Sequence, residues 1–287
     1  MAKLPSFQVD PDHPSTLTPA VHIWAIATAA LDQPSLEDLA QGLAAQELAK
    51  LQALTHPLSR RNFLVSRGCL RYLLSHYSSQ PRHSLGIDYG SHGKPELKPG
   101  DRDPGSDSNP WRTALQFNLS HSGNWLVIAL SPGLPLGVDV EQVRPLSRLP
   151  QLCQRCLTPA EAQSVLSQPP AQADQRFLQY WTSKEAYTKA LGLGLRFPLN
   201  QIELVIEPGP PVMVPVPVII RSHPGNGSHW WVCQWQLAPN YLAALAVKLR
   251  SPGLEPPPLI LHRTTPARLA TLERTRSVPP WGTGAGA

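Results

Sequence analysis

The chain has 287 residues, 41% of them apolar, which is enough for one large domain or two modest ones with hydrophobic cores. This composition excludes a fibrous chain and a chain that is disordered throughout. The formal charge of +5 favours anionic partners, and nucleic acid, a phosphorylated metabolite and an acidic protein all meet that condition.

Cysteine content and hydropathy indicate the compartment. The four cysteines form one Cys153-x-x-Cys156 pair and two isolated residues, with no His at zinc-finger spacing, so we expect neither a disulfide framework nor a structural zinc. The longest apolar stretch, residues 21–31, is too short to span a bilayer, and no signal-peptide pattern opens the sequence. We therefore expect a cytoplasmic protein without a membrane partner.

The N-terminal part predicts an arm, a strand and then helices. Residues 1–20 contain four prolines and few large apolar side chains, and they are expected to form a flexible arm. Residues 21–26 are β-rich and predict a strand, and Ser35-Leu-Glu-Asp38 has the form of a capping box at a helix start. Leucines recur at helical spacing over residues 36–54, where Gly42 is expected to divide the run.

A basic helix is predicted over residues 59–77, where large apolar side chains again recur at helical spacing. Arg60, Arg67 and Arg71 stand at i, i+7 and i+11, so their guanidinium groups are expected near one face. That face is the first candidate for contact with an anionic partner.

The remaining pattern predicts the fold class. Strands are predicted over residues 85–89, 115–118, 125–130, 136–140, 202–206, 214–220, 230–237 and 241–249, and helices over 159–166 and 172–191. Because each half runs from strand to helix to antiparallel strands, we predict an α+β fold of two similar α/β subdomains, residues 21–135 and 136–250. Residues 251–287 are rich in proline and are expected to be a disordered tail.

The first candidate site is Gly137-Val-Asp-Val-Glu141. On a strand, Asp139 and Glu141 face the same way, while Val138 and Val140 enter the core. Two carboxylates so close together repel each other, and a divalent cation such as Mg²⁺ would compensate. The alternative is an ordinary amphipathic strand with a solvated acidic face.

The second candidate site lies on the helix over 172–191. Trp181, Glu185 and Lys189 stand at i, i+4 and i+8 and share one face, and Lys184 adjoins Glu185. The alternative is a surface ion pair between Glu185 and Lys189, with Trp181 as a core residue.

Two further segments could bind phosphate. Phe117-Asn-Leu-Ser120-His121-Ser-Gly123 offers hydroxyls, an imidazole and backbone amides, and Gly93-Lys94-Pro95 offers one ammonium group. Each is equally compatible with an ordinary turn or loop. Ser120 and His121 are adjacent and therefore point to opposite faces of a strand, and no G-x-S-x-G is present, so we do not expect a serine nucleophile.

Together and in order, the basic helix, G-K-P, F-N-x-S-H-S, G-V-D-V-E and W-x-S-K-E-A-x-x-K resemble the 4′-phosphopantetheinyl transferase superfamily, in particular its longer, monomeric type represented by the surfactin synthetase activator. The resemblance extends from the strand at residue 21 to about residue 249. It implies transfer of 4′-phosphopantetheine from coenzyme A to a serine of an apo acyl or peptidyl carrier protein, with release of adenosine 3′,5′-bisphosphate.

The resemblance also implies roles for single residues. Asp139, Glu141 and Glu185 would be the Mg²⁺ ligands. Glu185 would also be the base for the carrier serine, directly or through a metal-bound water, and Lys189 would stabilise the pyrophosphate. The residues implied in coenzyme A binding are Arg60, Arg67, Lys94, Ser120, His121, Lys184 and Lys189. The chain departs from the type at Gly68, where a hydroxyl residue occurs, and at Asn124, where a basic residue is common.

The implied partner is an acidic carrier protein, which the positive net charge of the chain would attract. The resemblance further implies a monomer with pseudo-twofold related halves and the cofactor in the cleft between them. Nucleic acid is not expected, because the basic helix lacks a repeated pattern of base-stacking aromatics. Two alternatives remain: a Mg²⁺-dependent hydrolase of pyrophosphate-containing metabolites, and a non-catalytic module whose basic face docks an anionic macromolecule.

Overall fold

The computed structural model describes residues 7–10, 20–29, 31–90, 93–98, 110–193, 197–222 and 229–269. The helices are α1 (Gln33–Gln41), α2 (Ala45–Ala53), α3 (Pro57–Ser78), α4 (Pro110–Thr113), α5 (Leu149–Cys156), α6 (Pro159–Leu166) and α7 (Pro170–Leu191). The strands are β1 (Phe7–Asp10), β2 (Val21–Ala27), β3 (Ile87–Tyr89), β4 (Pro95–Leu97), β5 (Leu115–Ser122), β6 (Trp125–Pro132), β7 (Leu136–Gln142), β8 (Glu203–Val205), β9 (Val216–Ser222), β10 (Trp230–Ala238), β11 (Tyr241–Lys248) and β12 (Leu259–Thr264).

These elements confirm the predicted α+β class. They fall into two compact units, one of residues 1–25 and 86–263, the other of residues 26–85 and 264–287. The subdomain border near residue 135 and the pseudo-twofold relation stay predictions. Among the described residues, no helix combines the length and the apolar character that a membrane span requires.

The larger unit contains two five-stranded sheets and the helices that cover one of them. The sheet orders are β1-β12-β2-β6-β5 and β7-β11-β10-β9-β8. One face of the second sheet packs against α5, α6 and α7, and its other face packs against the first sheet. Val138 and Val140 of β7 belong to the core between the sheets, as the alternation of the strand predicts. Asp139 and Glu141 therefore lie on the face that carries α7.

Gly137, the first residue of the G-V-D-V-E motif, allows α7 to approach β7 closely. A Cβ atom built on Gly137 would lie 2.2 Å from the carbonyl oxygen of Ala186 and 2.3 Å from the backbone nitrogen of Ala190. Both atoms belong to the backbone of α7, so only glycine allows this contact. The short distance between strand and helix lets side chains of α7 reach the carboxylates of β7.

The smaller unit is built on α3, whose 22 residues pack against α1 and α2. A Cβ atom on Gly68 would lie 2.7 Å from Leu39, so close packing of α1 on α3 accounts for this departure from the family type. Arg71 is buried, where its Nε donates to Glu47 and its guanidinium also bonds the carbonyls of Arg82 and Leu85. The prediction that the basic face of α3 offers its arginines to an anionic partner was therefore wrong for Arg71.

Two details of the smaller unit follow from local sequence. Gly42 ends α1, so the leucine-rich run divides there as predicted. The N-cap of α1 is Asp32, which accepts from the backbone N–H of Ser35, and the predicted capping box starting at Ser35 was wrong. Pro34 in the first turn explains the earlier start, because proline suits a position whose N–H has no helical acceptor.

The segments expected to be unstructured contribute two strands. β12 lies between β1 and β2, and it pairs in parallel with β1. Leu259 and Leu261 are fully buried, and the Nε2 atom of His262 lies 3.1 Å from Nδ1 of His22. The predictions of an entirely flexible arm and a disordered tail were wrong here, because the proline-rich composition conceals a short L-I-L-H-R-T segment that a sheet can bury. Residues 1–6, 11–19 and 270–287 lie outside the described residues.

Candidate active site

The acidic strand β7 is held by polar side chains of β5, the edge strand of the other five-stranded sheet. Ser120 Oγ donates to Asp139 Oδ1 at 2.7 Å, and Ser122 Oγ donates to Glu141 Oε2 at 3.1 Å. Asn118 Oδ1 accepts the backbone N–H of Val138 at 2.9 Å. The three β5 residues alternate and therefore share one face of the strand. The N-x-S-x-S pattern thus positions the carboxylates of the G-V-D-V-E motif, a relation that the spacing of the two motifs in the sequence does not predict.

Asp139 forms an ion pair with Lys189 of α7 in which the carboxylate is buried and the lysine is only partly buried. Lys189 Nζ donates to Asp139 Oδ1 at 2.6 Å and contacts Ser120 Oγ at 2.9 Å. The Asp139 side chain is 5% exposed, whereas that of Lys189 is 28% exposed, so solvent reaches part of the lysine side chain. Asp139 Oδ2 is buried and has no hydrogen-bond partner among the described residues.

Glu141 bonds the aromatic residue of the helix motif. Trp181 Nε1 donates to Glu141 Oε1 at 3.2 Å, while the indole ring also packs near Phe177. Burial and the charge of Asp139 raise the pKa of Glu141, and hydrogen bonds from Ser122 and Trp181 partly oppose that shift. Trp181 is therefore both a packing residue and a hydrogen-bond donor to the acidic strand.

Glu185 is the most perturbed carboxyl of the group. Burial raises its pKa to about 7, Asp139 and Glu141 add to the shift, and Lys189 opposes it. Glu185 Oε1 is buried without a hydrogen-bond partner in the described part of the chain. Because the charges of Asp139 and Glu141 act on Glu185, the three acids form one electrostatic group, in which a carboxyl with a pKa near neutrality can take up or release a proton.

Lys184 has a different role from the one implied by the resemblance. Its side chain is completely buried, and Nζ donates to Glu161 Oε2 at 2.5 Å and to the carbonyls of Cys156 and Leu199 at 3.0 Å each. An ammonium group has three N–H donors, and all three are used here. The predicted contact between Lys184 and coenzyme A was therefore wrong, because the helix turns this side chain into the protein core.

The remaining predicted contacts are distributed over both units. Lys94 Nζ bonds the carbonyls of Leu136 and Ala190, next to the C-terminal end of α7. His121 is exposed on the face of β5 opposite the buried Ser120, as the strand alternation predicts. Arg60 and Arg67 belong to the smaller unit, where Arg60 is exposed and Arg67 lies over the ring of Phe63. Their contacts with a cofactor stay predictions.

Comparison with known proteins identifies the family. A family model described as the 4′-phosphopantetheinyl transferase superfamily matches residues 135–246, and one described as its N-terminal region matches residues 30–133. The 4′-phosphopantetheinyl transferase HetI of Nostoc sp. is 39% identical over 203 residues, which cover 70% of this chain and 80% of that protein. The chain belongs to the 4′-phosphopantetheinyl transferase superfamily.

Further members of the superfamily are similar to the chain. A candidate 4′-phosphopantetheinyl transferase of Synechocystis sp. is 33% identical over 186 residues, covering 65% of this chain and 70% of that protein. The 4′-phosphopantetheinyl transferase Sfp of Bacillus subtilis is 27% identical over 129 residues, covering 45% and 53%. The family prediction made from the motifs is thereby confirmed.

The acidic group fits a hard divalent cation in its donor chemistry. Asp139 Oδ2 and Glu185 Oε1 are carboxyl oxygens that are buried without hydrogen-bond partners among the residues that the structure describes, and carboxylate oxygens are the ligands that Mg²⁺ prefers. In the described residues, no three His, Cys, Asp or Glu side chains are arranged to hold a metal ion as they stand. Lys189 instead supplies the positive charge at Asp139. An ion bound at Asp139 would compete with this ammonium group.

Proposed function

We propose that the protein transfers the 4′-phosphopantetheine arm of coenzyme A to a serine of an apo carrier protein, with Mg²⁺ as the metal ion. The observation that carries the proposal is the electrostatic group of Asp139, Glu141 and Glu185, in which Lys189 pairs with Asp139 and its charge also acts on both glutamates, in a chain of this superfamily. Mg²⁺ held by the three carboxylates would neutralise the pyrophosphate of coenzyme A and polarise the bond that breaks.

The residues of the site divide the chemistry between them. Lys189 is partly exposed, so its ammonium group can bind a pyrophosphate oxygen and stabilise the charge that grows on the leaving phosphate. Glu185, with a pKa near 7, is suited to accept the proton of the serine hydroxyl. The serine oxygen then bonds to the phosphorus that carries the pantetheine arm, and adenosine 3′,5′-bisphosphate leaves. His121, Lys94, Arg60 and Arg67 are the further proposed contacts with coenzyme A.

The proposed partner is an acidic acyl or peptidyl carrier protein. The superfamily and the net charge of +5 support this proposal, because opposite charges accelerate the encounter of the two proteins. The chain is proposed to act as a monomer in the cytoplasm.

The test is an assay of intact mass. Apo acyl and apo peptidyl carrier proteins are incubated with coenzyme A, Mg²⁺ and the enzyme, and a gain of one phosphopantetheine arm is expected on at least one carrier. Asp139→Asn, Glu141→Gln and Glu185→Gln should each lower the rate by at least about 100-fold, because each removes a carboxylate from the metal and phosphate site. The exposed acid Glu207 provides the control variant Glu207→Gln, which should retain the wild-type rate.

Two outcomes would contradict the proposal. Release of phosphopantetheine into water at the same rate with and without a carrier would instead assign a hydrolase. Unchanged transfer by all three acidic variants would remove Asp139, Glu141 and Glu185 from the metal site.

A further inference from the structure

The buried ion pair between Glu161 and Lys184 connects α7 to four other segments of the larger unit. Glu161 Oε2 accepts from Lys184 Nζ and from the backbone N–H of Thr158, and Oε1 accepts from the backbone N–H of Leu204. Lys184 Nζ also bonds the last turn of α5 through Cys156 and the turn at Leu199–Gln201. Both side chains are at most 2% exposed, so neither can touch a substrate.

This ion pair and the contact at Gly137 lie on opposite sides of α7. Successive residues of a helix are about 100° apart, so Ala186 faces about 200° away from Lys184. Ala186 faces β7 at Gly137, while Lys184 faces α5 and α6. Glu185 stands between them, at about 100° to each. A rotation of α7 about its axis would therefore disturb both contacts and would carry the Glu185 carboxyl with the helix.

The size of that movement can be worked out from helix geometry. The Cα atoms lie about 2.3 Å from the helix axis, and a glutamate carboxyl lies several ångströms further out. A rotation of about 10° therefore displaces this carboxyl by about 1 Å. Displacements of about 1 Å at a reacting group lower rates by about 100-fold.

We infer that Glu161 is a positioning residue that, through its buried ion pair with Lys184, fixes the rotation of α7 so that Glu185 and Trp181 face the acidic strand β7. The inference rests on the proposed function, since the rate it protects is that of phosphopantetheine transfer. Glu161 contacts no substrate and acts only through the helix.

The smaller unit contains a matched control. Glu47 is the third residue of α2, just as Glu161 is the third residue of α6, and each accepts the backbone N–H at the start of its own helix. Glu47 pairs with Arg71, the fifteenth residue of the 22-residue helix α3, and Lys184 is the fifteenth residue of the 22-residue helix α7. Both pairs are buried, but Glu47 and Arg71 lie on the helices of the other unit.

The experiment compares Glu161→Gln, Lys184→Met, the double variant and Glu47→Gln, each assayed at a temperature where urea titration shows it folded. Glu161→Gln and Lys184→Met should each lower kcat by about 10- to 100-fold. The double variant should be no slower than the slower single variant, because both act through one contact. The double variant also leaves neither partner of the pair as an unpaired buried charge. It is therefore expected to fold, and it remains informative, even if a single variant does not fold. Glu47→Gln should keep kcat within about threefold of wild type.

Three results would overturn the inference. Wild-type kcat in folded Glu161→Gln would show that the ion pair does not position α7. An equal loss in Glu47→Gln would show a general effect of lost stability. A raised KM for coenzyme A in Lys184→Met, with Glu161→Gln unaffected, would return Lys184 to the phosphate site.

A second measurement is independent of the reaction. The indole ¹⁵N–H resonance of Trp181, assigned with Trp181→Phe, reports the hydrogen bond to Glu141. It should shift in Glu161→Gln and stay in place in Glu47→Gln, and an unshifted resonance in both would contradict the inference. Failure of the wild-type enzyme to modify any carrier, together with the expected shift, would overturn the proposed function and leave the positioning role standing.

Discussion

Substitution of Gly137 by alanine tests the contact that brings α7 to the acidic strand. The added Cβ would meet the Ala186 carbonyl oxygen at 2.2 Å and the Ala190 nitrogen at 2.3 Å, whereas ordinary contacts of such atoms lie near 3.4 Å. Both atoms belong to helical backbone and cannot rotate away, so α7 has to retreat by about 1 Å. Overpacking of this kind destabilises a protein by about 1–3 kcal/mol.

The same retreat predicts a large loss of activity. Glu185 and Lys189 follow α7, and a displacement of about 1 Å should lower kcat by about 100-fold. Stability is measured by urea unfolding followed by tryptophan fluorescence, and activity by transfer of the phosphopantetheine arm to an apo carrier. Gly90→Ala is the control, because among the described residues its Cβ would meet nothing nearer than the Lys94 carbonyl oxygen at 3.7 Å, and the variant should unfold at the wild-type urea concentration. Wild-type stability and kcat in Gly137→Ala would refute the close packing of α7 on β7.

Three further predictions follow from the site and the sheets. Because the pKa of Glu185 is raised to about 7, the folded state binds the Glu185 proton more tightly than the unfolded state does. Without divalent cations, the free energy of unfolding should therefore fall by up to about 3 kcal/mol as pH rises from about 4.5 to 7. A flat profile, or an equal fall in Glu185→Gln, would contradict this prediction. Lys189→Met should raise the affinity for Mg²⁺ alone, measured by calorimetry, because the ammonium group no longer occupies Asp139. The same variant should raise the KM for coenzyme A, because it lacks the ammonium group proposed to bind the pyrophosphate. Unchanged Mg²⁺ affinity would contradict the competition between Lys189 and the metal ion. Leu261→Ala should lower the free energy of unfolding by about 2–4 kcal/mol in urea titration, because Leu261 is buried in β12. The control is Ile260→Ala at the half-buried neighbouring residue, which should lower it by less. Equal losses of stability in the two variants would argue against β12 as an inner strand.

Most secondary structure could be predicted from periodicity, since the predicted helix over 159–166 coincides with α6 and that over 172–191 with most of α7. Strands with long alternating or apolar runs, such as β7 and β11, were also found within a few residues. β12 and α5 were not predicted, because each is short and its local pattern is weak. Three prolines stand directly before β12, and a proline lies in the first turn of α5. Such segments become ordered only because neighbouring elements bury them.

The candidate site likewise combines features that the sequence pattern predicts with features that depend on tertiary packing. Alternation on a strand is enough to predict that Asp139 and Glu141 share one face, and helical spacing is enough to predict that Glu185 lies beside Lys189. Neither pattern could show that Lys189 would bond Asp139 rather than Glu185, because that depends on how α7 lies against β7. Because the packing of α7 decides which way each side chain points, adjacent residues of one motif lie in different places, Lys184 in the core and Glu185 in the candidate site.

The sequence by itself was enough to predict the family, the α+β class and a set of candidate site residues, because these depend on residue types at short, regular spacings, although it wrongly included Lys184. The tertiary structure alone decided which charges are paired and which carboxylate oxygens are left without a partner. Pairing depends on distances of a few ångströms between residues up to fifty positions apart, such as Asp139 and Lys189, and on the exclusion of water from them. Those distances are set by the packing of a helix on a sheet at Gly137 and by the buried ion pair at Glu161, neither of which has a local signature in the chain.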